Sequence, residues 1–227
     1  MAQALYRHWF VDFGPFQDSP FVDSALGPIP KGWSVGSLDD IIQNIRGTID
    51  PDDFPDSTPY IGLGEMPKGS IQIDDWNVAA EAGSRKRSFQ KGQLLFGKLR
   101  PYFKKVGFAP VDGICSTDML VLEPTEPHFR SMALCQLIQD DFIEYTNQAA
   151  TGTRMPRISW KRMRDYDVAI PPVHIAEAYE RRVGNWFDMV IENIHQNQTL
   201  AETRDYLLPK LISGEIEVNP EPAESTS

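Results

Sequence analysis

The segment that decides the fold is IAEAYERRVGNWFDMVIENIHQNQTLAETRDYLLPKLISGEI, residues 175–216. Ten residues in it recur at alternating steps of four and three, which is the spacing of a and d positions in a coiled coil. They are Tyr179, Val183, Trp186, Val190, Asn193, Asn197, Leu200, Arg204, Leu207 and Leu211. Roughly 35 helical residues extend about 50 Å, which exceeds what a compact domain of this length needs. The segment therefore predicts one long helix that extends from a globular head.

The apolar stripe of this helix is interrupted by Asn193, Asn197 and Arg204. One interpretation is an ordinary amphipathic helix that packs on its own domain. The other is a coiled coil with a second helix, in which polar a and d residues lower stability but specify register and partner. The length of the helix and the three polar positions favour the second interpretation.

The charge of the chain is unevenly distributed. Its net charge is −10, yet residues 85–111 hold eight basic residues and no acidic one, and residues 151–164 hold five more, again with no acidic one. Residues 85–164 together carry +7, which leaves −17 on the rest. Because charges are screened over about 8 Å at physiological salt, a local basic patch governs local binding. A nucleic-acid contact is therefore compatible with an acidic chain.

Composition excludes several classes of protein. No run of apolar residues is long enough to span a membrane. The first eleven residues contain Arg7 and His8 and lack a cleavage site, so they do not form a signal peptide. Cys115 and Cys135 lack metal-ligand spacing. These features predict a cytoplasmic protein with reduced, buried thiols.

The rest of the chain alternates helical and strand patterns. Helices are predicted near residues 2–13, from Ser37 or Asp39 to about Arg46, and over residues 131–148. Strands are predicted over residues 60–63, 70–73, 93–96, 105–109, 113–115, 119–122 and 166–170. Pro171 and Pro172 then break the chain before the long helix. We therefore expect the α+β class: a globular mixed α/β domain followed by one long coiled-coil-forming helix.

The sequence lacks the patterns of a self-contained active site. The four histidines are isolated, and no GxSxG or complete dinucleotide-binding glycine loop occurs. Instead, cations alternate with aromatic residues over residues 97–105, and residues 151–157 combine hydroxyl groups, a glycine and two arginines. Such segments can contact phosphates and base edges. The candidate DNA-binding residues are Arg85, Lys86, Arg87, Lys98, Arg100, Tyr102, Lys104, Lys105, Thr151, Thr153, Arg154, Arg157 and Lys161.

Five motifs in a fixed order resemble the specificity subunit of type I restriction–modification systems, over residues 29–216. They are KGQLLFGKLRPY (residues 91–102), GICSTD (113–118), GTRMPRISW (152–160), IPP (170–172) and LLPKLISGEI (207–216). Members of this family alternate target recognition domains with long helices that pair and dock methyltransferase subunits. A full-length member has two recognition domains, and this chain has residues for one.

The resemblance implies a domain order and a function. Residues 1–28 would be the end of a conserved helix plus a linker, 29–172 the target recognition domain, 173–214 the spacer and docking helix, and 215–227 a tail. The chain would be a half-size subunit, or the C-terminal half of a longer one, that reads one half of a bipartite DNA target. It would not be an enzyme and would bind neither metal nor cofactor, with S-adenosylmethionine held by the methyltransferase partner.

The implied partners are double-stranded DNA, methyltransferase subunits and, through these, restriction subunits, but no membrane. A homodimer through the long helix is also expected, with an interface formed by Tyr179, Val183, Trp186, Val190, Asn193, Asn197, Leu200, Leu207 and Leu211. Two alternatives remain open. One is an acidic scaffold or DNA mimic that uses the surface charge of −17, and the other is an enzyme that acts on nucleic acid by itself.

Overall fold

The computed structural model describes residues 1–79 and 84–216. The chain divides into two compact units, Met1–Phe187 and Asp188–Ser227. The predicted tail, residues 215–227, lies outside the described residues from residue 217 onward. The α+β class and the long C-terminal helix are both confirmed.

The first sheet of the larger unit has the strand order β6-β5-β10-β7. Strand β10 (Gly113–Cys115) runs parallel to β5 (Pro59–Ile61) and antiparallel to β7 (Arg87–Phe89), and β6 (Asn77–Val78) pairs antiparallel with β5. Two of these strands, β5 and β10, were predicted, whereas β6 and β7 were not. The short runs of β6 and β7 lie beside polar and charged residues that hide their alternation.

The second sheet has the order β4-β11-β8-β9, and all of its pairs are antiparallel. Its central strands, β8 (Leu94–Gly97) and β11 (Met119–Pro124), are buried over most of their length. Strand β9 (Val106–Phe108) forms one edge and β4 (Ile42–Ile45) the other. Side chains of both sheets form one hydrophobic cluster: Ile61, Met66, Ile73, Phe89, Leu95, Ala109, Cys115, Met119 and Val121.

Strand β4 corrects the prediction of a helix up to about Arg46. The helix α2 is limited to Leu38–Ile41, where the carboxylate of Asp40 accepts a 2.7 Å hydrogen bond from the backbone N–H of Ser37. Ile42 then becomes extended, and β4 pairs with β11. The start signal was therefore correct, but strand pairing overrode the helical pattern after one turn.

Two further predictions were wrong in part. Residues 70–73 form no strand, and Gln72 makes only an isolated bridge to Phe108. The helix predicted over residues 131–148 is two helices, α3 (Arg130–Leu137) and α4 (Asp140–Ala149). Ile138 and Gln139 interrupt the helix where Gln139 adopts an extended backbone, and the apolar spacing continues across the break, which is why the sequence suggests one element.

The remaining short strands form two antiparallel pairs at the start and end of the larger unit. Strand β1 (Phe21–Val22) pairs with β2 (Ile29–Pro30). Strand β3 (Ser34–Ser37) pairs with β12 (Asp167–Ile170), which follows the short helix α5 (Trp160–Met163). The pairing of β3 with β12 brings residues 34–37 next to residues 167–170, which are far away in the sequence.

An aromatic cluster holds the N-terminal helix α1 (Ala2–Phe10) in the larger unit. The ring of Phe10 lies 4.8 Å from that of Tyr179 and 5.8 Å from that of Trp33, measured between centroids. Tyr6 donates a hydrogen bond to the side-chain carbonyl of Gln136 in α3. The predicted helix is thus confirmed, although it ends at Phe10 and not at Phe13.

The long helix α6 is continuous over Val173–Ile212, and Pro209 lies inside its last turn. Its buried side chains are those of Ala176, Tyr179, Val183, Phe187, Ile191 and Ile194. This stripe follows the predicted heptad positions at Tyr179 and Val183 and then shifts by one residue, so Phe187 is more buried than Trp186, and Ile194 more than Asn193. Because a 3.6-residue helical repeat drifts against strict heptad spacing, the apolar stripe moves off the predicted positions along the helix.

Candidate nucleic-acid interface

The two basic segments meet through their backbones. Arg100 donates its backbone N–H to the carbonyl of Pro156 at 2.8 Å, and Ile158 donates to the carbonyl of Lys98 at 3.1 Å. Leu99 and Arg157 form an antiparallel bridge between these bonds. Two acid-free runs that are far apart in the sequence thus become neighbours, and we call residues 97–105 and 151–157 together the paired loops.

The first of the paired loops turns sharply at residues 101–103. Arg100 and Lys104 on either side have left-handed backbones, with φ of 51° and 50°. Such a conformation costs a non-glycine residue on the order of 1 kcal/mol, so the surrounding hydrogen bonds must hold it. Phe103 donates to the carbonyl of Arg100 at 3.0 Å, and Lys104 donates to that of Pro101 at 2.8 Å. The turn leaves Tyr102 47% exposed, so its ring is available to a ligand.

The second of the paired loops is closed at its base and open at its tip. Thr151 and Arg157 exchange two backbone hydrogen bonds of 2.9 Å. Between them, Gly152 has φ of +105°, a conformation that glycine adopts without strain. The side chains of Thr153 and Arg154 are exposed at the tip. This loop therefore presents a hydroxyl group and a guanidinium group to solvent.

Asp118 lies in the turn between β10 and β11 and is hydrogen-bonded to both of the paired loops. Its carboxylate accepts two hydrogen bonds from Arg157, from Nε to Oδ1 and from Nη2 to Oδ2, both at 2.9 Å. Its backbone carbonyl accepts a 2.8 Å bond from the N–H of Lys98. The hydrogen bonds from Arg157 hold the pKa of Asp118 below its ordinary value, so this carboxylate is charged at neutral pH.

Lys98 and Arg87 lie beside this ion pair. Partial burial lowers the pKa of Lys98, and the nearby positive charges of Arg87 and Arg157 lower it further. Arg87 is the strand partner of Cys115, and its Nε is buried without a hydrogen-bond partner among the described residues. Arg157 and Lys98 thus lie near the carboxylate of Asp118, and Arg87 lies near Lys98.

Several of the predicted DNA-binding cations are engaged elsewhere in the protein. Lys86 is 6% exposed and donates from Nζ to the carbonyl and hydroxyl oxygens of Ser84, both at 2.8 Å. Arg85 pairs with Asp50, with 2.6 Å between Nε and Oδ1. Lys105 donates to the carbonyl of Leu63, and Lys104 pairs with Asp140. The sequence could not reveal these partners, because each lies 35 or more positions away, except Ser84.

Other predicted cations remain available. Within residues 1–79 and 84–216, the side chains of Arg100, Arg154 and Lys161 form no ion pair, and Arg154 and Lys161 are exposed. Thr151 and Thr153 are exposed as well. The DNA-binding residues stay a prediction, but the structure separates these candidates from those that have partners within the chain.

The predicted helix interface also divides into two parts. Tyr179 and Val183 are buried within the larger unit, whereas Trp186 and Val190 are half-buried. Further along α6, Asn193 and Asn197 are exposed, Leu200 is 67% exposed and Leu211 39%, while Leu207 is half-buried. The exposed apolar side chains of this second part remain candidates for contact with another helix.

Asp118 is the site residue that sequence reasoning missed. It belongs to the GICSTD motif, but an acidic residue was not a candidate for DNA contact. Its partner Arg157 is 39 positions away, so no local pattern links the two. The sequence does contain one signal that could have identified Asp118. It is the one acidic residue between Asp112 and Glu123, and it lies beside a basic run.

Other kinds of site find little support in the described residues. They contain no group of three or more His, Cys, Asp or Glu that could hold a metal ion. Cys115 and Cys135 are buried free thiols, and burial raises the pKa of each to about 12, opposite to what a nucleophilic cysteine needs. Among the same residues, no helix is both long and apolar enough to cross a bilayer.

The model of a known protein family matches most of the larger unit. Residues 30–199 match the model of the type I restriction modification DNA specificity domain. The chain is 27% identical to the type I restriction enzyme MjaIX specificity subunit of Methanocaldococcus jannaschii, over 96% of this chain and 52% of that protein. It is 26% identical to the EcoDI specificity subunit of Escherichia coli, over 86% of this chain and 45% of that protein. The chain thus spans about half the length of the curated relatives it matches.

Solved structures show the same fold. The HsdS subunit from Thermoanaerobacter tengcongensis aligns with a TM-score of 0.55 and 22% identity, over 90% of this chain and 54% of that one. A chain solved in work on complex assembly and conformational transition of the type I R-M system aligns with a TM-score of 0.56 and 20% identity. That alignment covers 88% of this chain and 52% of the other.

Proposed function

Because the chain belongs to the type I restriction–modification DNA specificity family, we propose that it is the DNA-recognition component of a type I complex. In this proposal the segment 29–172 reads one half of a bipartite target. The helix α6 docks methyltransferase subunits, which in turn bind restriction subunits. The chain itself performs no catalysis.

The observation that carries this proposal is the joining of the two basic segments into the paired loops. Arg100, Tyr102 and Arg154 lie on hydrogen-bonded neighbours, with two cations free of ion pairs within residues 1–79 and 84–216. Arginine can bind a phosphate or the edge of guanine through two hydrogen bonds, and an aromatic ring can pack on a sugar or base. A surface of this kind fits the grooves and backbone of duplex DNA better than a small molecule.

The second part of α6 supports the docking role. Exposed apolar side chains at Met189, Leu200, Leu208 and Ile212 interrupt an otherwise polar helix. Exposed apolar side chains on a helix are suited to association with another protein surface. Two copies of α6 paired antiparallel would place two recognition domains at opposite ends, as in a subunit with two such domains. We therefore propose a homodimer in the absence of methyltransferase.

The proposal also extends to the cofactor and to the location of the complex. S-adenosylmethionine would bind the methyltransferase subunit, so this chain would need no cofactor of its own. The complex would act on DNA in the cytoplasm. The competing function is an acidic scaffold or DNA mimic, which the charge of −17 outside residues 85–164 favours.

Filter binding to duplex DNA tests the proposal directly. The purified chain is titrated against labelled duplex with and without methyltransferase subunits. Sequence-selective retention that needs the partner supports the proposed function. Methylation by the chain alone would instead identify an enzyme. Competition between the chain and DNA for the methyltransferase would identify a mimic.

A further inference from the structure

We propose that Arg157 does not contact DNA but positions the 151–157 loop through Asp118, so that Arg154 at the tip makes the contact. This inference rests on the proposed function. It divides two arginines of the same loop into a positioning residue and a contacting residue. The division follows from the partners that each side chain has within the chain.

The hydrogen-bonding capacity of Arg157 is largely used inside the protein. Its Nε and Nη2 donate to the two oxygens of Asp118, and its Nη1 lies 3.3 Å from the carbonyl of Met155. The same planar guanidinium group would be needed to bind a phosphate through two hydrogen bonds. A phosphate approaching Arg157 would also meet the negative charge of Asp118. Arg157 is therefore a poor phosphate ligand in this structure.

The contacts of Arg157 fix the loop at both its base and its tip. The base is closed by the two backbone bonds between Thr151 and Arg157 and joined to Arg100 through Pro156. The Nη1 contact reaches the carbonyl of Met155, which is the next residue after Arg154. Asp118 thereby holds the guanidinium that supports the tip. The carboxylate determines where Arg154 points without touching it.

Arg154 itself is exposed and forms no ion pair within the described part of the chain. Because the loop backbone is already fixed, contact through Arg154 orders mainly its side chain, and preorganisation of the backbone raises affinity. Its neighbour Thr153 is also exposed and can donate or accept a hydrogen bond. The tip thus has the donors needed to contact a base edge or a phosphate.

The inference predicts that Asp118→Asn changes DNA binding in the direction opposite to that expected from charge alone. Replacing Asp118 by Asn removes a negative charge beside a basic surface, which by Coulomb's law alone should tighten DNA binding. If Asp118 positions the loop, Asp118→Asn instead weakens binding to the cognate duplex by about tenfold or more, since the contact made by Arg154 is then misplaced. The matched control is Asp39→Asn, which removes one carboxylate whose partner Arg164 lies outside the paired loops.

The experiment compares the full chain and its variants, assembled with methyltransferase subunits, on cognate and unrelated duplexes over a range of salt concentrations. Arg157→Lys keeps the charge but loses the two-point contact with Asp118, so it should behave like Asp118→Asn and leave the salt dependence unchanged. Arg154→Gln should lower the salt slope by about one or relax the preference at one base pair. Asp39→Asn should bind like the wild type.

Cleavage by trypsin after Arg154 supplies a readout that needs no DNA. Asp118→Asn and Arg157→Lys should speed this cleavage several-fold in a chain that remains folded, whereas Asp39→Asn should not. Equal or tighter cognate binding by Asp118→Asn, or unchanged cleavage at Arg154, would overturn the inference. A wild-type complex that prefers no duplex, together with the expected cleavage pattern, would reject the proposed function while retaining the positioning role.

Discussion

The carboxylate of Glu180 in α6 accepts a 2.8 Å hydrogen bond from the backbone N–H of Ser131, in the first turn of α3. A Cβ at Gly184, one turn further along α6, would lie 2.4 Å from Oε1 of Glu180. Glycine at position 184 therefore makes room for the carboxylate that caps α3. The contact joins α6 to α3 within the larger unit.

A double-mutant cycle tests this relationship. Glycine within a helix costs about 1 kcal/mol relative to alanine, so propensity alone predicts that Gly184→Ala stabilises the protein. Loss of a helix cap costs about 1 kcal/mol, so in the wild type the two effects should nearly cancel. In a Glu180→Ala background no cap remains to be lost, and Gly184→Ala should raise the free energy of unfolding by about 1 kcal/mol. The same stabilisation in both backgrounds, measured by urea denaturation, would contradict the account.

The elements that the sequence predicts correctly are those whose pattern is local. The long helix follows from its apolar spacing, and strands β8 and β10 follow from short apolar runs bounded by glycine or aspartate. The sequence predicts a helix where β4 lies because the start signal at Ser37 is local, whereas the pairing of β4 with β11 is not. For the same reason, the sequence does not reveal the ion pair of Asp118 or the burial of Lys86, since both depend on how the chain folds. The backbone bonds that join the two basic segments link residues far apart in the sequence, so no local pattern reveals them.

Arg100 and Lys104 should respond differently to charge reversal. Arg100 forms no ion pair within residues 1–79 and 84–216, so Arg100→Glu should weaken DNA binding of the assembled complex by more than about tenfold and lower its salt slope by about one. Lys104 pairs with Asp140, so Lys104→Glu should also place like charges together and lower the melting temperature. An unchanged salt slope in folded Arg100→Glu would exclude the first of the paired loops from the DNA interface.

The two buried thiols predict how stability changes at alkaline pH. Burial raises the pKa of Cys115 to about 12, so the folded state holds this proton more tightly than the unfolded state. The resulting stabilisation is complete below the ordinary thiol pKa and is lost as the pH rises toward the folded value. Each such thiol should lower the free energy of unfolding by about 1.4 kcal/mol per pH unit above about pH 9.

Comparison with Cys115→Ala isolates this contribution from those of other titrating groups. The variant, measured under reducing conditions, should lose stability less steeply above pH 9 than the wild type, by the amount expected for one thiol. Equal slopes for the two proteins would show that Cys115 titrates normally in the folded state. Cys135 allows an independent repeat, because burial raises its pKa to about 12 as well.

The exposed part of α6 predicts self-association. Sedimentation equilibrium of the chain alone at tens of micromolar should give twice the monomer mass of 25.7 kDa. Leu200→Asp places a charge at an apolar side chain that is 67% exposed, so it should shift the protein to monomer without unfolding it. Thr203→Asp, at an exposed polar position of the same helix, is the matched control. A wild-type monomer would leave the methyltransferase as the one proposed partner of this surface.

Exchange of the recognition segment tests the central claim most directly. The chain and a variant in which residues 29–172 are replaced by the corresponding segment of a relative are each assembled with the same methyltransferase subunits. Both complexes then modify a random-sequence duplex library, and the methylated bases are mapped by sequencing. The account predicts that methylation persists and that the recognised sequence changes with the exchanged segment. An unchanged recognised sequence in an active complex would contradict it.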